Sequence, residues 1–126
     1  MKLQRVVVLG FLFALFDVSG VNAADDLSHP EKLYNTYCAQ CHGLNRNGKG
    51  INSPQMSVQP RDHSDAKGMG DIPDDELEHA IRDGGLAVNK SVLMPNWGKV
   101  LSDEEIKELV KYLRAVCKCG NKSEGK

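Results

Sequence analysis

The chain has 126 residues, which is enough for one domain. Its 16 basic and 17 acidic residues leave a net charge of −1, and no basic stripe stands out. This balance excludes the usual footprint of a nucleic-acid-binding protein and a basic face for lying on a membrane.

Residues 1–23 have the layout of a secretory signal peptide. Two basic residues come near the start, an apolar run of 11 residues follows over 6–16, and small and polar residues lead to Ala23. Small residues before the cut predict cleavage after Ala23. The alternative is a membrane anchor, but a spanning helix needs about 20 apolar residues, and Asp17 interrupts any longer span. We therefore expect export to the periplasm, a domain over 24–126, and no stable membrane insertion after cleavage.

The exported part is poorly supplied with large apolar side chains. After cleavage 103 residues remain, with a net charge of −2 and no phenylalanine. Leu, Ile and Val together number 19 of them, which is low for a small domain that must fill a core. The deficit is a first indication that a large apolar cofactor fills part of the core.

Capping signals and helical spacing predict an all-α domain without strands. The first helix is expected from Ser28 to about Cys41, opened by a capping box of Ser28 with Glu31. Residues 43–70 contain five glycines and are expected to form only short turns.

Two further helices are predicted in the second half of the chain. One fits residues 73–83 and ends at the glycine pair 84–85, and a loop then spans 86–101. Ser102 and Glu105 form a second capping box at the start of the last helix. Its apolar face is built from Ile106, Leu109, Val110, Leu113, Val116 and Cys117.

The motif that carries chemistry is C-x-x-C-H at residues 38–42, the attachment sequence for c-type haem. On a helical turn Cys38, Cys41 and His42 share a face, so two thiols can form thioethers with the haem vinyl groups while the imidazole coordinates iron. A thioredoxin-type dithiol leaves His42 unexplained. A zinc site shared with Cys117 and Cys119 leaves the small core unexplained. We therefore expect one covalently bound haem c.

With this motif in place, the sequence resembles the class I monohaem c-type cytochromes of bacteria over about residues 28–116. The resemblance rests on the order of several landmarks: Leu33-Tyr34 before C-x-x-C-H-G, Gly48-Lys49-Gly50, Leu93-Met94-Pro95-Asn96-Trp97-Gly98, and the run of residues 101–114. It implies the cytochrome c fold, about three to five helices packed around one haem, with a close crossing of the first and last. Pro30 departs from the glycine that the family commonly has at that crossing.

The resemblance implies that Met94 is the sixth iron ligand. Met94 lies 52 residues after His42, in the Met-Pro turn where the family places its distal methionine. A thioether opposite histidine raises the reduction potential of haem. The alternative is a core-filling methionine. Met56 is expected to pack on the haem face, and Met69, between two glycines, to be a mobile loop residue.

The remaining histidines are not expected to bind iron. His63 lies in a polar loop and His79 on the outer side of its helix, so both are predicted to be exposed, and His29 belongs to the first helical turn.

Three residues are candidates for contacts around the haem and its histidine. A ligating histidine needs an acceptor for its second ring nitrogen. The family uses a proline carbonyl, and Pro54 resembles that proline, with Pro60 as its rival. Trp97 either donates its indole N–H to a haem propionate, as the family implies, or is a core aromatic whose N–H meets a carbonyl.

Cys117 and Cys119 are left unexplained by this interpretation. An exported protein favours disulfides, but a bridge over one intervening residue closes a small, strained ring. A local disulfide, a bridge to another subunit and buried thiols all stay open. Residues 117–126 form a tail beyond the resemblance.

Together these features predict a periplasmic one-electron carrier, not an enzyme, that exchanges electrons with larger redox proteins. One alternative is a haem-containing subunit of a larger redox complex, and the sequence leaves the oligomeric state open. The other is a gas-binding or enzymatic haem protein, which needs an exchangeable sixth ligand.

Overall fold

The computed structural model describes residues 26–120, so the predicted signal peptide and the last six residues lie outside the described part. The α-helices are α1 (Ser28–Tyr37), α2 (Ala39–His42), α3 (Ala66–Gly70), α4 (Asp74–Asp83) and α5 (Asp103–Cys117). Two 3-10 helices cover Ser53–Gln55 and Gly85–Val88. No residue between 26 and 120 is in a strand, which confirms the all-α prediction. Across the same residues, no helix has the length and apolarity needed to cross a membrane.

Helix α5 supplies half of the buried core residues. Of its predicted apolar face, Val116 is half-buried and the rest are buried, namely Ile106, Leu109, Val110, Leu113 and Cys117, as expected for helical spacing. Helix α1 packs against it, with the rings of Tyr34 and Tyr112 5.6 Å apart. Leu77 and Ile81 of α4 complete the core. This packing fixes the position of α1, whose end leads into the C-x-x-C-H motif.

Only one of the two predicted capping boxes forms. At α5 the Ser102 hydroxyl accepts from the Glu105 N–H, and the Glu105 carboxylate accepts from the Ser102 N–H at 2.8 Å. At α1 the predicted box is wrong, since Leu27 is the N-cap and makes no side-chain bond. The Ser28 N–H donates instead to Asp26 Oδ1 at 3.0 Å.

The first predicted helix is divided, and a short helix was missed. The continuous helix to Cys41 is wrong, because α1 ends at Tyr37 and α2 begins at Ala39. Within residues 43–70, predicted to form only turns, α3 begins after Asp65, whose side chain accepts from the Lys67 N–H.

A buried arginine joins α5 to α3 and α4. Arg114 is only 6% exposed, and its guanidinium lies 2.6 Å from Asp74 Oδ1. It also donates to the carbonyl oxygens of Met69 and Ile72, at 2.7 and 2.6 Å. Because a buried charge needs a partner and filled hydrogen bonds, these contacts hold α3 and the start of α4 against α5.

The same contacts explain why one prediction on the methionines is wrong. Met69 is not a mobile loop residue, because its side chain is fully buried in the core beneath α5. The glycines on either side of it suggested mobility, but they lie within α3.

The C-terminal cysteines form a local disulfide. Cys117 and Cys119 are bonded to each other, with Cα atoms 5.2 Å apart. Lys118 between them ends α5 in the left-handed conformation. Of the three options left open by the sequence, the structure has the local bridge.

Candidate functional site

One cavity collects side chains from most of the fold. Its volume is about 340 Å³, within the range of small-molecule and cofactor sites. The lining includes Cys38, Cys41, His42, Met56, His63, Leu77, Ile81, Met94, Trp97, Leu109 and Leu113. Most of this wall is apolar, and the donor set consists of thiols, imidazoles and a thioether. The residues present therefore fit a haem, which is apolar over most of its surface and needs thiols and axial donors.

The C-x-x-C-H turn brings its three side chains to this cavity. Cys38 connects α1 to α2, and its N–H donates to the Tyr34 carbonyl oxygen at 2.8 Å. Both Cys38 and Cys41 are free thiols. Burial, and after it the neighbouring Cys41, raises the pKa of the Cys38 thiol to about 12. Cys38 is therefore protonated at neutral pH in the chain alone.

A glycine segment closes against the back of this turn. The Gly48 and Gly50 N–H groups donate to the carbonyl oxygens of His42 and Cys41, at 2.9 and 3.0 Å. A Cβ atom at Gly50 would lie 2.2 Å from the Gln40 carbonyl oxygen, so no other residue fits there without a shift. These contacts satisfy carbonyls at the end of α2 that have no partner within the helix.

The His42 ring is oriented by a backbone carbonyl. Its Nδ1 lies 3.0 Å from the Arg61 carbonyl oxygen, and since a carbonyl only accepts, Nδ1 carries the proton. Burial lowers the pKa of His42, and the bond to Arg61 partly offsets this. The neutral ring therefore leaves the Nε2 lone pair available for a metal.

This geometry corrects the predicted acceptor. Pro54 is exposed in a 3-10 helix and does not line the cavity, and Pro60 lines the cavity without being the acceptor. The accepting carbonyl belongs to Arg61, the residue directly after Pro60.

His63 is not an exposed loop residue, as the sequence suggested. Its ring stacks on that of His42, with centroids 4.3 Å apart, and its Nδ1 lies 3.1 Å from the Tyr34 hydroxyl. Burial, with the neighbouring His42 and Arg61, holds the pKa of His63 well below its ordinary value. Burial raises the pKa of Tyr34 above its ordinary value of 10, so both groups are uncharged at neutral pH.

Arg46 supports this side of the cavity, and sequence reasoning missed it. Its carbonyl oxygen accepts from the His63 N–H at 2.7 Å. Its side chain donates to the Tyr112 hydroxyl at 2.6 Å and pairs with Glu31 at 2.8 Å. The only sequence feature that could have indicated this role is the turn Arg46-Asn47-Gly48, which places a cation beside a tight turn.

The segment of residues 94–98, which contains Met94, is hydrogen-bonded to the end of α4. The Trp97 and Gly98 N–H groups each donate at 3.0 Å, to the carbonyl oxygens of Ile81 and Arg82. The Met94 carbonyl oxygen accepts from the Gly85 N–H at 3.1 Å. These bonds satisfy the last carbonyls of α4, so the helix end sets the position of Met94.

The glycine pair at residues 84–85 lets this segment approach. A Cβ at Gly85 would lie 2.3 Å from the Ser91 carbonyl oxygen and 3.0 Å from Met94 Cβ. Gly84 has φ +88°, a conformation that favours glycine. The sequence marked this pair only as a helix end.

Two other predicted site residues lie at the cavity, and two histidines that were not expected to bind iron lie away from it. Met56 and Trp97 line the cavity, and the Trp97 ring packs on Tyr37 at 5.2 Å between centroids. His79 is exposed near Asp83, and His29 lies in the first turn of α1 beside Glu108, as expected.

Comparisons with known proteins show which family and fold this chain resembles. The family model described as cytochrome C oxidase, cbb3-type, subunit III matches residues 25–113. Among solved structures, the KustC0563 c-type cytochrome has a TM-score of 0.56 and 25% identity, covering 69% of this chain and 95% of its own. A chain of the Kuenenia stuttgartiensis reducing HAO-like protein complex Kustc0457/Kustc0458 has a TM-score of 0.55 and 24% identity, covering 71% of this chain and 41% of its own. The second likeness shows the fold alone. No match was found among the curated proteins.

Proposed function

Because this chain belongs to the cytochrome c family described as cytochrome C oxidase, cbb3-type, subunit III, we propose that it is a periplasmic one-electron carrier with a single haem. The family implies a covalently bound haem c and electron transfer. The proposal adds one haem, His42 and Met94 as its axial ligands, and export by residues 1–23. The observation that carries it is that Cys38, Cys41, His42 and Met94 line the same cavity.

In this proposal the two thiols fix the cofactor and the histidine orients it. Cys38 and Cys41 would hold the haem through thioether bonds to its two vinyl groups. The Arg61 carbonyl accepts from the His42 Nδ1–H, so the Nε2 lone pair would be free to bind the iron. When bound, the haem supplies a reversible one-electron change at its iron.

Met94 would supply the second protein ligand to the iron in this proposal. Its segment is fixed by hydrogen bonds to the last carbonyls of α4, so ligation would need little reorganisation. Ligation by both His42 and Met94 would keep oxygen and small substrates off the metal. A soft thioether favours ferrous iron and raises the potential.

Two further cavity residues support the cofactor. Met56 lines the cavity, where it would pack against the haem, and Trp97 is placed by the Tyr37 ring and by its bond to Ile81. We assign the indole N–H of Trp97 to a haem propionate, since Trp donors usually find a partner when enclosed.

The first test is attachment, because every other assignment depends on it. Purified wild-type protein should weigh one haem more than its chain and show a reduced-minus-oxidised c-type spectrum. Cys38→Ala with Cys41→Ala should lose covalent haem and protease resistance, since the haem supplies missing core. A double variant that stays folded and protease-resistant without haem would contradict this.

A resident subunit of a larger complex is the second candidate. The matching family model describes an oxidase subunit. Gentle extraction and size-exclusion chromatography separate the two. A free carrier elutes at the size of one chain, whereas a subunit elutes with its partners.

A further inference from the structure

We propose that Cys117 and Cys119 form a second redox site, a C-x-C pair that exchanges its disulfide with the thiols of a dithiol protein. This site goes beyond the proposed electron carrier, because neither cysteine lines the haem cavity. It assigns a two-electron thiol–disulfide reaction to the end of α5.

A purely structural role explains this bridge poorly. A disulfide stabilises mainly by restraining the unfolded chain, and the effect grows with the length of the closed loop. Here the bridge encloses Lys118 alone. The end of α5 also has its own hydrogen bonds, from the Lys118 N–H to Ala115 and from the Cys119 N–H to Arg114. The fold therefore has little need of the covalent bond.

The two sulfurs have different surroundings. Cys117 is only 2% exposed, whereas Cys119 is half-buried. The Arg114 guanidinium lies 3.6 Å from Cys119 Sγ. Cys117 Sγ lies 3.4 Å from the Arg114 carbonyl oxygen. Once the bridge is reduced, each sulfur has a group that stabilises it. The Arg114 guanidinium lies beside a Cys119 thiolate, and the Arg114 carbonyl oxygen accepts from a Cys117 thiol.

These partners do not depend on the disulfide. Arg114 is fixed by Asp74 and by the Met69 and Ile72 carbonyl oxygens, so the guanidinium stays in place when the bridge opens. A positive charge at a partly exposed cysteine is the setting that favours the reactive thiolate. Cys119 is therefore the sulfur that meets an external thiol, and Cys117 is the sulfur released inside.

The exchange balances in two steps. A reductant thiolate attacks Cys119 Sγ, the S–S bond breaks, and Cys117 leaves as a thiolate that takes a proton. The reductant's second thiol then attacks the reductant's first sulfur, which is bonded to Cys119 in the mixed disulfide, and Cys119 is released. The reductant leaves oxidised, having given two electrons and two protons to the pair.

The test counts thiols in the haem-loaded protein across a redox series. The protein is equilibrated anaerobically with mixtures of reduced and oxidised glutathione, trapped with a maleimide, and weighed intact. Two labels should appear together within the glutathione range, where structural disulfides of exported proteins stay oxidised. A bridge that survives the whole series overturns the proposal. Labels at Cys38 or Cys41 would mean instead that haem attachment, and with it the proposed function, is wrong.

A matched pair of variants tests the assigned roles. In Cys117→Ser the half-buried Cys119 is the remaining cysteine of the pair, and in Cys119→Ser it is the buried Cys117. With oxidised glutathione, Cys117→Ser should form a mixed disulfide at least tenfold faster, while both variants keep the wild-type haem spectrum. Equal rates, or faster reaction of Cys119→Ser, would overturn the assignment.

Discussion

The His63 ring stacks on the His42 ring with the two planes inclined by only 13°. The far side of this pair is held by the buried Tyr34 hydroxyl, 3.1 Å from His63 Nδ1. The uncharged His63 ring thus positions the ring of His42, the expected iron ligand. The uncharged Tyr34 hydroxyl in turn positions His63.

This relationship predicts coupling between His63 and Tyr34. His63→Leu leaves the buried hydroxyl without its partner, which costs about 1–3 kcal/mol of unfolding free energy. Tyr34→Phe removes the hydroxyl. The double variant Tyr34→Phe with His63→Leu should therefore lose less unfolding free energy than the two single variants lose in sum. Urea unfolding of the four haem-loaded proteins measures the coupling, expected at about 0.5–3 kcal/mol.

Two controls separate the hydrogen bond from the ring contact. His63→Phe keeps a flat ring on His42 but removes the nitrogen that bonds to the Tyr34 hydroxyl, so it should lose stability and keep the wild-type potential. His63→Leu should shift the potential as well. Strict additivity of the Tyr34 and His63 changes would show that the hydroxyl and the ring do not interact.

Met94→Ala should open the iron. The ferric protein should lose its weak far-red thioether–iron band, its potential should fall, and the ferrous form should bind carbon monoxide. Met56→Ala is the matched control within the cavity and should keep the band. Met69→Ala should also keep it while losing about 2–5 kcal/mol of stability, because Met69 is fully buried. A wild-type protein that already binds carbon monoxide readily would favour a sensor or enzyme.

Gly85→Ala should displace the Met94 segment without touching the iron. The added Cβ would lie 2.3 Å from the Ser91 carbonyl oxygen, so the segment must shift. We expect a weakened far-red band and at least tenfold faster binding of imidazole to ferric protein. Gly70→Ala is the control, since the nearest atom to its added Cβ is 3.7 Å away. An unchanged band in Gly85→Ala would mean that Met94 is not positioned by this contact.

The capping box of α5 predicts a pH dependence of stability. Hydrogen bonds from the Ser102 backbone and hydroxyl lower the pKa of Glu105 below its ordinary value of 4.5. A carboxyl with a lowered folded pKa stabilises the fold above its unfolded pKa, and the contribution is lost as pH falls through the folded pKa. Glu105→Gln keeps an N3 side chain that can cap but loses the charge. The urea midpoint of the wild type should therefore exceed that of Glu105→Gln at pH 7, and the two should converge as the pH falls below 4.5 and through the lowered pKa of folded Glu105. A constant difference across this range would contradict the prediction.

The sequence predicts the helices better than their ends. The motif S-x-x-E occurs before both α1 and α5, yet only Ser102 and Glu105 form the box. At α1 the Ser28 N–H is taken by Asp26, and the Glu31 carboxylate pairs with Arg46, 15 residues away. Local spacing contains no information about such distant competitors.

The same limit applies to the site. The C-x-x-C-H spacing places its own three side chains together because they share one helical turn. The acceptor for His42 lies 19 residues further along, at Arg61, and only the path of the intervening chain decides which carbonyl arrives. His63 and Met69 looked exposed or mobile from their polar and glycine-rich neighbours, but long-range packing holds the half-buried His63 against α1 and buries Met69 against α5.

The attachment of the Met94 segment to the end of α4 has a consequence for local opening. The expected histidine ligand sits on a turn closed by Gly48, Gly50 and the Arg61 carbonyl, whereas Met94 is carried by a connection whose Val92 and Leu93 side chains are exposed. Segments with few buried apolar contacts open at lower free energy than the core. On warming or in mild denaturant, the thioether should therefore leave the metal while the imidazole and the helices stay in place. The molecule would then pass through a folded, five-coordinate form, in which a carrier temporarily has the open metal position of a gas-binding protein.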